Sequence, residues 1–526
     1  MTGNQASPAP AALHAAHAEA AHPHHPVGDH VIGRRSADLP LAAVRKTARY
    51  APVLLGGVAA AVLAMAVPAM ASPTTGHDAT STGSISGILK PGDIVTGVRG
   101  LANGNVILTG SQLTQGSSNT LPFLYQGPLT NAAAGAKVSA LQPPFPGFKT
   151  GTFYGPDTPY YNPDTIPAGQ VRAVGSYQVT SSSSFNTLNH GMIYLGPVNG
   201  AGGSWTTIDV PSDGSNTVNH VRACPVTRPG CFVLNTIAHS TMGNLVVGNY
   251  DLNPVPGEVI SGNAFIYNMS THQWTLLQLG GSLSSGTTLY GIWQNGGPGS
   301  PNYTLAGGSS AHLSSLRTQR AFLMNYNERT GRFGPPRFYS YGNAPALATH
   351  FDGITKVPGG YNLATISSAQ QSSMAFIPAI GDDWPVFGAA TWYPINVAPL
   401  CSGTCGMVTA NTVYQNKVMG LYVIPGNPNA NPPTPTTQNT YLATVPPGDD
   451  DRAWYSGRPG AQRPARATGT RSTSRARVTR RALGEIHSRI DSATCRNARR
   501  WIADPDRLPS PPLSSAPHWG LIPQCR

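Results

Sequence analysis

The chain has 526 residues, of which 40% are hydrophobic and only 11% charged, with a net charge of +12; about 25% charged residues is usual for a globular domain. Glycine (59) and proline (49) are abundant, and glutamate occurs only at Glu19, Glu258, Glu328 and Glu485, so strong helix formers are scarce and the balance excludes a mainly helical fold. The charge divides as +2 over residues 1–71, +2 over 72–430 and +8 over 431–526; the near-neutral centre gives no ground for nucleic-acid binding by the fold itself.

Residues 1–50 are rich in Ala, Pro and His, including His14, His17, His22, His24, His25 and His30. They read as a disordered leader; an upstream start codon or a metal-binding tract are the other readings. Ala51 to Met70 is an apolar run without a charge, preceded by Arg45, Lys46 and Arg49 and followed by Ala69-Met70-Ala71. A positive flank, an apolar core and a small-x-small site describe a secretory signal over 51–71, cut after Ala71. The alternative is an anchor through 51–70, since about 20 apolar residues can span a bilayer; Pro52, Pro68 and Gly56-Gly57 speak for cleavage. Arg34-Arg35 lies too far upstream of the apolar core to read as a twin-arginine signal.

From residue 72 to 446 the chain repeats itself. Leu245-Val-Val-Gly248-Asn-Tyr250 is followed by Asn263-Ala-Phe265-Ile-Tyr267 and Trp274-Thr-Leu-Leu277. The same order runs from Val171 through Gly175, Met192 and Trp205, from Tyr303 through Gly307, Phe322 and Phe333, and from Tyr361 through Thr365, Phe376 and Trp384. Partial copies lie around Gly110 and Gly420. The anchors Gly110, Gly175, Gly248, Gly307, Thr365 and Gly420 are spaced by 65, 73, 59, 58 and 55 residues. Turn chemistry precedes most of them (Asn103-Gly104, Met242-Gly243, Pro358-Gly-Gly360), and an apolar stretch such as Tyr290-Gly-Ile-Trp293 or Phe351-Asp-Gly-Ile354 precedes each turn. Each unit therefore predicts four short strands that cannot bury their faces alone. A ring of such units, an all-β propeller of six blades with five as the alternative, leaves only short protected edges. The anchor glycine is expected where another backbone comes close, near the crowded axis. The sixth unit lacks a fourth strand, and Ser84 to Lys90 is expected to supply it.

The order of turn, Val-Val-Gly-x-Tyr, Ala-Phe-Ile-Tyr and Trp-x-x-Leu resembles the HAF-type repeat of bacterial extracellular proteins over about residues 92–446. The resemblance implies architecture and carries no catalytic residue.

Six cysteines fit the oxidising side of a membrane. They fall in three pairs: Cys224 with Cys231, Cys401 with Cys405 and, more loosely, Cys495 with Cys525. Local loop-stapling disulfides are expected from them; their spacing does not match a zinc site. From Pro425 a proline-rich spacer leads to an Arg-dense stretch, and residues 447–526 read as a basic, largely disordered tail. Such a tail suits contact with anionic polymers, or is simply solvated.

No nucleophile elbow, His-Glu-x-x-His, P-loop or dinucleotide fingerprint occurs, and no cofactor or metal site is expected. Axial carboxylates could serve a propeller glycosidase. The candidates are Asp93, Asp157, Asp164, Asp209, Asp251, Asp352, Glu258 and Glu328, with Asp382-Asp383 and Glu328 expected in exposed turns. His239, His312 and His350 are expected near turns in hydrogen-bonding or solvated roles. Tyr154, Tyr160, Tyr161, Trp293, Trp392 and Tyr393 are either inter-blade packing or a stacking platform for sugars. Three functions remain open: a monomeric, exported, non-catalytic protein binding a glycan or surface protein, a polysaccharide hydrolase or lyase, and a structural envelope component.

Overall fold

The computed structural model describes residues 77–81 and 89–445, apart from residue 91 and the segments 130–135, 181–188, 254–261, 280–285, 311–318, 345–346, 369–371, 402–404 and 427–435. The expected leader, signal segment and basic tail lie outside these residues, as do Glu258 and His312.

Six antiparallel four-stranded sheets follow one another along the chain. Blade one comprises Ile94–Gly100, Val106–Leu113, Thr120–Gly127 and Lys137–Ala140. Blade two comprises Phe148–Asp157, Val171–Val179, His190–Gly196 and Ser204–Ile208, and blade three Val233–Met242, Leu245–Leu252, Asn263–Asn268 and Gln273–Leu277. Blade four comprises Thr287–Gln294, Asn302–Ser309 and Arg320–Asn327, its outer strand broken into Arg332–Phe333 and Arg337–Tyr339. Blade five comprises Thr349–Val357, Gly360–Ser367, Ser372–Ile380 and Thr391–Asn396, with a short side ribbon at Val386–Phe387. Blade six is Thr412–Tyr414, Lys417–Ile424 and Thr437–Thr444, completed by His77–Ser81. The molecule is an all-β, six-bladed propeller. Among the described residues, helix is confined to three short 3-10 turns, and no helix is long and apolar enough to cross a membrane.

The closing strand differs from the expected Ser84–Lys90. Ala79, Thr80 and Ser81 pair antiparallel with Ala443, Leu442 and Tyr441, while His77 and Asp78 pair parallel with Ile395 and Asn396 of blade five. One strand thus joins the outer edges of two blades. The polar sequence His77-Asp-Ala-Thr-Ser81 serves because each residue pairs through its backbone, the first two with blade five and the last three with blade six, so strand formation needs no apolar alternation.

Alternation decides how the blades stack. Successive side chains of a strand point to opposite faces, so Val246 enters a core with Val174 and Ile193 of blade two, and its neighbour Val247 enters one with Leu305 and Leu323 of blade four. The same division fills a core between blades one and two around Leu124, Phe153 and Tyr194, and between five and six around Met374 and Val418. Between six and one, Met419 and Leu442 meet Val95 and Leu108, which closes the ring. The second strand of blade three, Leu245–Leu252, is buried along its whole length. Trp205 and Trp274 pack on the repeat tyrosines, at 4.8 Å from Tyr194 and 4.5 Å from Tyr267.

The anchor glycines have a sharper cause than crowding at the axis. In five blades the innermost strand carries a β-bulge opposite or next to the anchor, for example between Ala238 and Ser240, where Ala238 pairs with Gly248. A Cβ on Gly110, Gly175, Gly248, Gly307 or Gly420 would lie 1.8, 2.0, 2.1, 1.9 or 1.9 Å from a carbonyl oxygen of its own blade's inner chain. The inter-blade approach falls instead on the residue after the bulge. There a Cβ on Gly97 would meet the Tyr154 carbonyl oxygen at 2.1 Å, and one on Gly155 the His239 carbonyl oxygen at 2.7 Å.

Both described disulfides, Cys224–Cys231 and Cys401–Cys405, lie in connections leading from one blade's outer strand to the next blade's inner strand. They close rings with separations of 7 and 4 residues, as local stapling predicts. The third expected pair is not among them: Cys495 and Cys525 both lie outside the described residues.

Candidate functional site: the propeller axis

The six innermost strands converge on a cavity to which every blade contributes. Its wall includes the dyads Thr96-Gly97, Tyr154-Gly155 and His239-Ser240, together with Tyr290, Asp352-Gly353 and Thr412. In each of blades one to five the first dyad residue is the extra residue of the bulge and the second is small. In blade six Asn411-Thr412 holds the same place, with Thr412 paired to Met419 beside the anchor Gly420. The bulge gives the inner strands of blades one to five an added residue without breaking the sheet, and the small residue lets adjacent strands come close.

Around this wall the aromatic rings of four successive blades are in contact. Tyr154 lies 4.9 Å from His239, His239 3.8 Å from Tyr290, and Tyr290 4.2 Å from His350. His350 Nδ1 is 2.6 Å from Asp352 Oδ1 and its Nε2 2.5 Å from Thr288 Oγ1, which joins blade five to blade four. His239 Nε2 is 3.2 Å from Asn249 Nδ2, whose amide oxygen accepts from the Leu289 backbone N–H at 2.9 Å. His239 and His350 are buried near the ends of strands Val233–Met242 and Thr349–Val357, in hydrogen-bonding roles.

Beyond this ring the axis is crossed by one side chain. Arg99, on blade one, donates from Nη2 to the Ile292 carbonyl of blade four at 3.0 Å and from Nη1 to the Ile354 carbonyl of blade five at 3.2 Å. Blade four lies opposite blade one in a six-membered ring, so the guanidinium spans the centre. Its carbon sits 5.1 Å from the Trp293 ring centroid. The connection between the first two strands of blade two, residues 158–170, covers the same end and brings Tyr161 to 5.3 Å from Trp293. That connection is held by Asp157, which accepts from the Thr158 N–H and Asn162 Nδ2 at 2.9 Å and from the Gly243 N–H of blade three at 3.2 Å. Arg172 lies 3.8 Å from Asp157. Burial pushes the Asp157 carboxyl up, opposed by Arg172, Arg99, Asn162 and Thr158. The remaining cavity, about 20 Å³ for the centre of a water-sized sphere, exceeds the roughly 10–15 Å³ one water needs. It is far below the roughly 300–1,000 Å³ of sites that enclose small organic ligands.

The candidate acids do not assemble. Asp352 is the one carboxylate on the cavity wall. Asp93 receives the Lys90 and Leu113 backbone N–H groups and Gln112 Nε2, Asp251 receives Asn235 Nδ2, and Asp209 bonds His190 at 2.9 Å. Asp164, Asp382 and Asp383 are exposed, and Lys356 reaches Asp382 at 3.3 Å. Glu328 lies in a turn as expected but is half-buried, since it accepts from Asn268 Nδ2 at 2.9 Å and Tyr303 Oη at 3.1 Å, linking blades three and four. Among the described residues, no group of three or more His, Cys, Asp and Glu side chains could hold a metal ion.

The aromatics divide likewise. Trp392 packs on Tyr341 and Phe351 in the core, Tyr154 and Trp293 belong to the axis, and Tyr160 is exposed beside Tyr161. Tyr160, Tyr161 and Trp293 are in successive ring contact, and Trp392 lies apart from them in the core. Arg99 and the dyads escaped the sequence reading; aligning inner strands on the anchors places the dyads in register, which was the available signal.

The strand pairing defines the class of the protein: a six-bladed propeller with a nearly filled axis. No family model matches the chain, and no curated protein matches it. Among solved structures it is similar to a β-1,2-mannobiose phosphorylase from Listeria innocua in complex with β-1,2-mannobiose, at 11% identity and a TM-score of 0.27, covering 68% of this chain and 92% of that one. It is also similar to Drosophila plexin A in complex with semaphorin 1b, at 6% identity and a TM-score of 0.29, covering 70% and 88% respectively. Scores this low carry no functional argument.

Proposed function

We propose that this is an exported, non-catalytic binding protein of the cell surface or extracellular space, which recognises a glycan or protein with its outer surface. The observation that carries this reading is the filled axis. A water-sized cavity with one wall carboxylate has neither room for a sugar nor the second carboxylate that glycoside hydrolysis ordinarily uses. Recognition then falls to the rim and faces. There the Cys224–Cys231 ring displays Val226 at 74% exposure, and Ile380 and Val386 form a cross-strand pair exposed at 80% and 68%. Two disulfides in rim connections support an oxidising compartment. The signal segment, the HAF-type resemblance and the basic tail's affinity for anionic polymers belong to the same proposal.

The test is a glycan array probed with the full-length exported protein, run beside a carbohydrase panel and affinity capture from surface fractions. Saturable binding without turnover is the expected result; hydrolysis or elimination products would overturn it. The filled axis also favours a second reading, a structural envelope component, which predicts tight association with the envelope and no saturable soluble ligand.

A further inference from the structure

The axial cavity has a chemical character separate from the outer-surface recognition proposed above. Its wall carries a cation whose charge no contacting carboxylate neutralises. Arg99 is 5% exposed, and its two terminal nitrogens donate only to the neutral carbonyls of Ile292 and Ile354. Its Nε is buried without a protein partner. Asp157, the carboxylate that acts on it, is engaged by Asn162, Thr158, Gly243 and Arg172. Asp352, the wall's carboxylate, is bonded to His350. Among the hydroxyl side chains of the wall, Ser240 and Thr412 add further hydrogen-bond donors. A buried guanidinium N–H left without an acceptor raises the free energy of the fold, and an anion accepting from the donors of the wall offsets it.

We propose that the propeller axis is a binding site for one small monovalent anion of the halide class, held by Arg99 with Ser240 and Thr412. Size sets the class. The cavity exceeds the room one water needs, and chloride is only slightly wider than water. A monatomic ion suits a cavity of this size, and sulfate is the tetrahedral comparison in the experiment. All six inner strands meet at the site, so the ion adds to the cohesion of the ring, and ligands that bind only the native state stabilise it by mass action.

The experiment uses the full-length chain. Thermal unfolding is compared in sodium chloride, bromide, gluconate and sulfate at constant ionic strength, and crystals grown in bromide are examined by anomalous scattering. A saturable rise in Tm of a few degrees in both halides, absent in gluconate and sulfate, is expected, with a bromide peak on the axis beside Arg99. Arg99→Met should abolish the halide response; because Arg99 also ties two blades, Ser240→Ala and Thr412→Val provide milder variants that should weaken it. Equal Tm in chloride and gluconate, or axial density without anomalous signal, overturns the proposal and leaves the cavity a water site.

Discussion

The α-carbon of Gly248 faces the carbonyl oxygen of Ile237 so closely that a methyl group there would sit 2.1 Å from it. The contact arises because His239 is an extra residue in the inner strand, and the bulge drives the preceding carbonyl toward the second strand. The glycine spacing in the sequence is thus the shadow of a backbone device repeated around the ring.

Gly248→Ala should therefore destabilise the protein by about 1–3 kcal/mol, the usual cost of overpacking. Thr365, which holds the same place in blade five and already carries a Cβ, should tolerate alanine at no more than about 1 kcal/mol. Urea unfolding of the two variants measures the contrast. Equal costs would detach the anchor from the bulge.

Removing the closing strand tests the ring. A chain starting at residue 83 loses the backbone pairing of His77–Ser81 to both blade five and blade six. It should unfold at lower urea concentration and aggregate through the exposed edge of Thr437–Thr444. Light scattering and unfolding of this chain beside one starting at residue 72 give the comparison.

His190 Nδ1 bonds Asp209 Oδ2 at 2.9 Å, and this hydrogen bond, against partial burial and with the carboxylate's charge, holds the imidazole above its ordinary pKa. A histidine with a raised folded-state pKa stabilises fully below its unfolded value of about 6.5, and that contribution disappears as pH rises through the folded value. Stability should fall with rising pH above about 6.5, and Asp209→Asn should flatten that slope. Asp209 is exposed, so the effect is small. Unfolding midpoints at closely spaced pH values would reveal it.

Reduction of Cys224–Cys231 should cost about 2 kcal/mol, the loop-entropy value for so short a ring. Thermal unfolding with and without reductant, and of the Cys224→Ser, Cys231→Ser double variant, measures it. The fold should survive, because the staple lies in a connection outside the strands.

The axial arrangement was only partly legible beforehand. Asp352 is one of the candidate acids of the sequence, and its place on the cavity wall follows from the closure of the ring. Thr288 as the partner of His350 has no local signal, because 62 residues separate the two and only the stacking of blades four and five brings the hydroxyl to the imidazole. Arg99 carries no local signal, because its partners Ile292 and Ile354 lie 193 and 255 residues away. The cysteines divide by the same measure. Separations of 7 and 4 residues made two bridges readable from spacing, whereas Cys495 and Cys525 stand 30 residues apart, where spacing alone does not choose a partner.

Local chemistry in the sequence determined the repeated strands, their hairpins and the two short disulfides, and favoured six blades over five, since these depend on turn residues, alternation and neighbours close along the chain. Tertiary structure alone decided which segment closes the ring, how acids and histidines are paired, and that an arginine fills the axis. Those outcomes depend on contacts between residues far apart in sequence, whose distances are set by the closure of the whole ring.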